Sequence, residues 1–153
     1  MRILLVDDDP DIRLLAGLEL RKDGHDVAEA ADGEEAVYRA ANERPDVIVL
    51  DLMMPRRDGY SVLEELQVIP ETEDIPVIIL SARAGNDDRR RGIDAGAEEF
   101  IVKPYAPDDL RAAVLRATGP DEYEQRWLIT EELSALSNEL GGAPADPWGS
   151  KPR

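Results

Sequence analysis

DVIVLDL, residues 46–52, is the most continuously apolar strand-like run in the chain. Val47 to Leu50 are all aliphatic and mostly β-branched. With no polar face, such a run fits a strand covered on both sides. It closes on an acid, Asp51. The pattern recurs in ILLV (3–6), which runs into Asp7, Asp8 and Asp9, and in IPVIIL (75–80), which runs into Ser81. EEFIVK (98–103) ends in Lys103 and Pro104, and Val27–Ala30 is a weaker strand.

Amphipathic segments fill the gaps. Asp9 precedes Pro10, a favoured first helical residue, so Asp9 reads as an N-cap. Ile12, Leu15 and Ala16 follow at helical spacing, with Leu14 and Leu18 widening the stripe, until Gly24. Further helices are expected over 34–42, with Ala36, Val37, Ala40 and Ala41 inward, and over 60–67, with Val62, Leu63 and Leu66 on one face. A polar helix over 87–95 contains DDRRRG (87–92), read as a solvated face. Another, over 107–117, carries Leu110, Ala113 and Val114. Five strands alternating with five helices predict a doubly wound parallel α/β sheet. Ligands of such sheets bind outside the carboxyl ends of the strands.

The groups predicted to converge there are Asp7, Asp8, Asp9, Asp51, Ser81 and Lys103. Two carboxylates about 4 Å apart repel by roughly 4 kcal/mol at an effective dielectric of 20. One lysine offsets several acids only in part, whereas a hard divalent cation suits an all-oxygen set: Mg²⁺, with Mn²⁺ or Ca²⁺ as alternatives. Mg²⁺ is commonly shared with a phosphate oxygen, and Lys103 and Ser81 suit phosphoryl oxygens. The chain has no G-x-x-x-x-G-K-[ST] loop to cradle a nucleotide. A covalent aspartyl phosphate is the remaining option. Asp51, a single acid apart from the cluster, is best placed to form it.

These residues carry a resemblance. LLVDDDP, VIVLDLMMPRRDGY, VIILSA and AGAEEFIVKP, in that order, resemble the receiver domain of bacterial two-component response regulators over about residues 2–118. The resemblance implies a flavodoxin-like five-stranded sheet of order 2-1-3-4-5. It implies that Asp51 accepts a phosphoryl group from a sensor histidine kinase. Asp8, Asp51 and the Met53 carbonyl would ligate Mg²⁺, with Asp7 acting through water. Lys103 would pair with the phosphoryl group, Ser81 would turn its hydroxyl onto it, and Phe100 would be the aromatic switch residue. Met53 and Arg83 occupy positions that tune dephosphorylation in this family. The face formed by the fourth helix, fifth strand and fifth helix would carry output to a downstream protein. Such a chain is a signalling phosphoacceptor that catalyses only its own phosphorylation and dephosphorylation.

Two alternatives remain at this stage. LLVDDDP also resembles the D-x-D signature of haloacid-dehalogenase-type phosphatases, with Asp7 as nucleophile and Asp9 as general acid. A phosphorelay intermediate is the other.

Residues 119–153 differ in character. Gly119–Pro120 breaks the chain, and Ile129, Leu133, Leu136 and Leu140 then keep heptad spacing. The organisation read here is a receiver over 1–118, an amphipathic helix over 119–141 and a Pro/Gly-rich disordered tail over 142–153. Trp127 and Trp148 both fall in this appendage. The helix, or the output face, could support a homodimer. The 153 residues carry a formal net charge of −16 and no cysteine. The charge argues against direct DNA binding, and the lack of cysteine excludes disulfides and thiolate metal sites. No membrane segment or secretory signal is evident. The expectation is a cytoplasmic single-domain response regulator. His25, in a turn, is expected to be exposed.

Overall fold

The computed structural model describes residues 1–82, 85–119, 133–136 and 139. Strands β1 (Arg2–Val6), β2 (Asp26–Ala30), β3 (Val47–Asp51), β4 (Val77–Ser81) and β5 (Glu99–Val102) alternate with helices α1 (Pro10–Lys22), α2 (Gly33–Glu43), α3 (Gly59–Val68), α4 (Asn86–Asp94) and α5 (Pro107–Thr118). The sheet has the order β2-β1-β3-β4-β5, and every pairing is parallel. This is a flavodoxin-like fold. The order reverses between β1 and β3, so the switch-point crevice opens where Val6 and Leu50 pair, beside Asp7 and Asp51.

Strand alternation sorts the core into two layers. Leu4, Val6, Ile48, Leu50, Val77 and Ile79 pack with α2 and α3. Ile3, Leu5, Val47, Val49, Ile78 and Leu80 pack with α1 and α5. Both layers are aliphatic, as a chain with 5% aromatic residues requires. Helix starts follow local chemistry. Asp9, Asp32 and Asp58 cap α1, α2 and α3 by accepting from the backbone N–H groups of Asp11, Glu35 and Ser61. Glu35 also accepts the N–H of Ala31, the residue before the cap.

The expected α1 stripe holds at Ala16 and fails at its leucines. Leu14, Leu15 and Leu18 are exposed, and Ile12 is half-buried. The buried residues are Ala16, Gly17 and Leu20. Small residues let α1 sit close against the sheet, which turns the leucines outward. In α2 the buried residues are likewise Gly33, Ala36 and Ala40, with Val37 and Ala41 at the margin. His25 is half-buried, with Nδ1 3.5 Å from the Met1 amino nitrogen.

The chain divides into two units, Met1–Thr118 and Gly119–Arg153. Within the second, Leu133 and Leu136 are helical and exposed. Arg83, Trp127, Ile129, Leu140, Trp148 and the tail over 142–153 lie outside the described residues. Among the described residues no helix is long and apolar enough to cross a membrane.

Two leucines of α1 separate these readings. Leu20→Ala should cost about 2–4 kcal/mol in urea unfolding, as a buried leucine does. Leu15→Ala should change stability by under about 0.5 kcal/mol.

Candidate functional site: a carboxylate cluster at the sheet edge

The carboxyl ends of β1, β3 and β5 bring three acids and one lysine together. One carboxylate oxygen each from Asp7, Asp8 and Asp51 lies within 4.8 Å of the others. Asp7 and Asp51 are buried, whereas Asp8 is exposed. Lys103 reaches the buried pair, with Nζ 3.0 Å from Asp7 Oδ2 and 3.6 Å from Asp51 Oδ1. Ser81 is fully buried at the end of β4, and its carbonyl accepts the Lys103 N–H at 2.7 Å. Strand pairing thus fixes the height of the lysine relative to the acids.

Backbone contacts hold the carboxylates in place. Asp7 Oδ1 accepts the Asp9 N–H at 3.0 Å, and Asp51 Oδ1 accepts the Met53 N–H at 3.2 Å. The Arg13 guanidinium donates to the Asp7 carbonyl at 2.6 Å. Asp9 takes another role. Its Oδ1 accepts the Asp11 N–H at 2.9 Å, so its charge is spent on the α1 N-terminus, outside the three-acid cluster. The loop after β3 returns tightly. Gly59 N–H donates to the Leu52 carbonyl, and a Cβ at 59 would lie 2.6 Å from the Asp51 carbonyl oxygen. Only glycine allows α3 to start this close to the acid.

Burial pushes the Asp51 carboxyl up to about 6, and the neighbouring Asp7 adds to the rise. Lys103 and the Met53 N–H oppose it. A buried carboxylate held beside a second one fits a hard cation. The donor set, all oxygen and partly lysine-compensated, suits Mg²⁺. Beside it lies a cavity of about 430 Å³ lined by Asp8, Met53, Asp58, Tyr60 and Arg91.

The sequence reading missed three residues here. Tyr60 is buried, although the 60–67 stripe began at Val62. DDRRRG is more than a solvated face: Arg91 lies 3.9 Å from the Tyr60 ring centroid and Arg89 5.7 Å from that of Phe100. The signal was an arginine cluster in a chain with few aromatic rings, but the pairing is tertiary and has no sequence period. Phe100 is buried on β5.

A doubly wound sheet with buried acids and a lysine at its switch point defines a class: α/β proteins whose chemistry sits at strand ends. The family follows from comparison. The response regulator receiver domain model matches residues 3–115, and the chain belongs to that family. It is 48% identical over 134 residues to the transcriptional regulatory protein PrrA of Mycobacterium tuberculosis, an alignment covering 84% of this chain and 56% of the relative. It is 44% identical over 125 residues to the response regulator MprA of Mycobacterium sp. (strain KMS), covering 80% and 54%. The chain spans about half the length of these curated relatives. Among solved structures, chemotaxis response regulator CheY4 of Vibrio cholerae superposes with a TM-score of 0.72 at 30% identity, covering 76% of this chain and 97% of that one. The receiver domain of a Pseudomonas aeruginosa sensor histidine kinase, solved with a magnesium ion coordinated in its active-site cleft, gives a TM-score of 0.72 at 34% identity, covering 78% and 98%.

The raised Asp51 carboxyl has a pH signature. The folded state holds this proton more tightly than the unfolded chain, whose value is about 4. The resulting stability is complete below about pH 4 and is lost as pH rises through about 6. In magnesium-free buffer, Asp51→Asn should therefore be more stable than the parent at pH 8 by about 1–3 kcal/mol. The gap should close towards pH 4, as thermal melts across that range would show.

Proposed function

We propose that this receiver domain is a phosphorylation switch whose acceptor is Asp51 and whose donor is a phosphohistidine on a sensor kinase. The carrying observation is the buried pair Asp7 and Asp51 bracketing Lys103 at 3.0 and 3.6 Å. An Asp51 oxygen attacks phosphorus in line. The bond from phosphorus to the donor nitrogen breaks, and the leaving imidazole takes up a proton. Lys103 balances charge on the phosphoryl oxygens, and Ser81 presents its hydroxyl to one of them. Asp8, Asp51 and the Met53 carbonyl would hold Mg²⁺, or Mn²⁺, with Asp7 behind a water. Bound there, the ion would neutralise the carboxylates and the phosphoryl group during transfer.

Leu14, Leu15 and Leu18 project from the helix that begins beside Asp8 and offer an apolar face to the donor protein. Phosphorylation adds charge at one strand end. Ser81 and Phe100 respond together and bias the face of α4, β5 and α5, which signals by contact with a downstream protein. The net charge of −16 disfavours direct contact of these 153 residues with DNA, even though relatives are named as transcriptional regulators. The phosphatase reading needs Asp9 free to act as an acid. Its bond to the Asp11 N–H speaks for the cap instead.

Acetyl phosphate with Mg²⁺ should label Asp51 in peptide mass mapping, and Asp51→Asn should take no label. Label on Asp7 would overturn the assignment. In titrations, Asp8→Asn should weaken Mg²⁺ binding by at least about tenfold, a loss that even outer-shell partners of a metal produce. Asp9→Asn should leave that binding within about twofold, since a cap contributes to helix stability and not to the metal.

A further inference from the structure

Helix α4 adds little to the core. Its buried residue is Gly92, and its N-cap, Gly85, makes no side-chain cap hydrogen bond. Nine residues are too few to persist by helical propensity alone. Among the described residues, two aromatic rings and Ile79 are part of what seats it. Tyr60, in the first turn of α3 and only 4% exposed, donates its hydroxyl to the Asp88 carbonyl at 3.1 Å. A helix carbonyl has a second lone pair free for such a bond. Arg91 lies over the same ring at 3.9 Å from its centroid. On the β5 side, Arg89 approaches Phe100, and a Cβ at Gly92 would lie 3.0 Å from that ring.

The α3-side tether forms a wall of the site. Tyr60 and Arg91 line the cavity together with Asp8 and Met53. Negative charge placed in that cavity therefore pulls on the cation that covers Tyr60. Arg91 makes no ion pair among the described residues that would hold it back.

We propose that Tyr60 is a positioning residue of the switch: its bond to Asp88 and its stack with Arg91 latch α4 in the resting position, and a phosphoryl group at the acceptor acts against that latch. This rests on Asp51 being the acceptor. It adds a route from the site to α4 through α3, separate from the route through Ser81 and Phe100. Since a ligand shifts an equilibrium only through its preference for one state, loosening the resting state must raise apparent affinity for anything that binds the active state.

The test uses the full chain, with beryllofluoride and Mg²⁺ as the phosphoryl analogue. Tyr60→Phe keeps the ring and removes the hydroxyl, so the fold is retained. Without analogue, amide exchange in α4 should quicken about fivefold, the worth of one net hydrogen bond, while exchange in β1 and β3 stays unchanged. Apparent beryllofluoride affinity should rise by about the same factor. Arg91→Gln should also quicken α4 exchange. Unchanged α4 exchange in both variants, or faster exchange in Tyr60→Phe with unaltered beryllofluoride affinity, would overturn the latch alone. Failure of the parent chain to bind beryllofluoride would overturn the acceptor reading beneath it.

Discussion

The domain is organised around a charge problem at one edge of its sheet. Two carboxylates, Asp7 and Asp51, are buried next to each other, and a single ammonium, Lys103, stands between them. In water such a trio would be ordinary. Under a roof of aliphatic side chains, it leaves a net negative charge that the protein cannot dissipate. The rest of the architecture keeps that tension in place. Parallel pairing sets the strand ends level, the Met53 and Asp9 N–H groups hold individual oxygens, and Gly59 allows the next helix to close over Asp51. A site built this way is poised for a cation, which does not have to create the field that binds it.

Much of this was legible from residue order. Strands without polar faces require cover on both sides, so the fold class followed from five short runs. The switch-point rule then pointed to Asp7, Asp8, Asp9, Asp51, Ser81 and Lys103, of which Asp9 lies outside the acid cluster. The cap role of Asp9 was also readable, because the proline after it marks a helix start. Periodicity failed where size outweighed hydrophobicity. In α1, leucines at helical spacing suggested the buried face, but Ala16 and Gly17 are what allow the helix to approach the sheet. Apolar character says a residue can be buried; it does not say that the geometry has room for it. The contacts of Tyr60, Arg89 and Arg91 were illegible for another reason. They join α3, α4 and β5, and no local pattern encodes a distance between elements.

The two core layers carry different duties. The layer under α1 and α5 closes on helices with well-packed aliphatic contacts. The other extends across α2 and α3 to Phe100 and meets α4 through Gly92, which sits against Ile79 and the Phe100 ring. Stability is therefore unevenly distributed. Helix α4, which contributes Arg91 to the cavity wall, buries the fewest residues of the five helices, so local opening is expected to cost least there.

The outward leucines of α1 have a colloidal side. An exposed apolar patch invites self-association, and three leucines within two turns form such a patch. The surplus of acids over bases, 34 against 18, gives every copy the same sign and keeps these patches apart at neutral pH. The acidity that looks like generic solubilisation thus acts as a filter on encounter. Like-charged copies repel one another, whereas a surface with a basic rim around an apolar centre would be attracted.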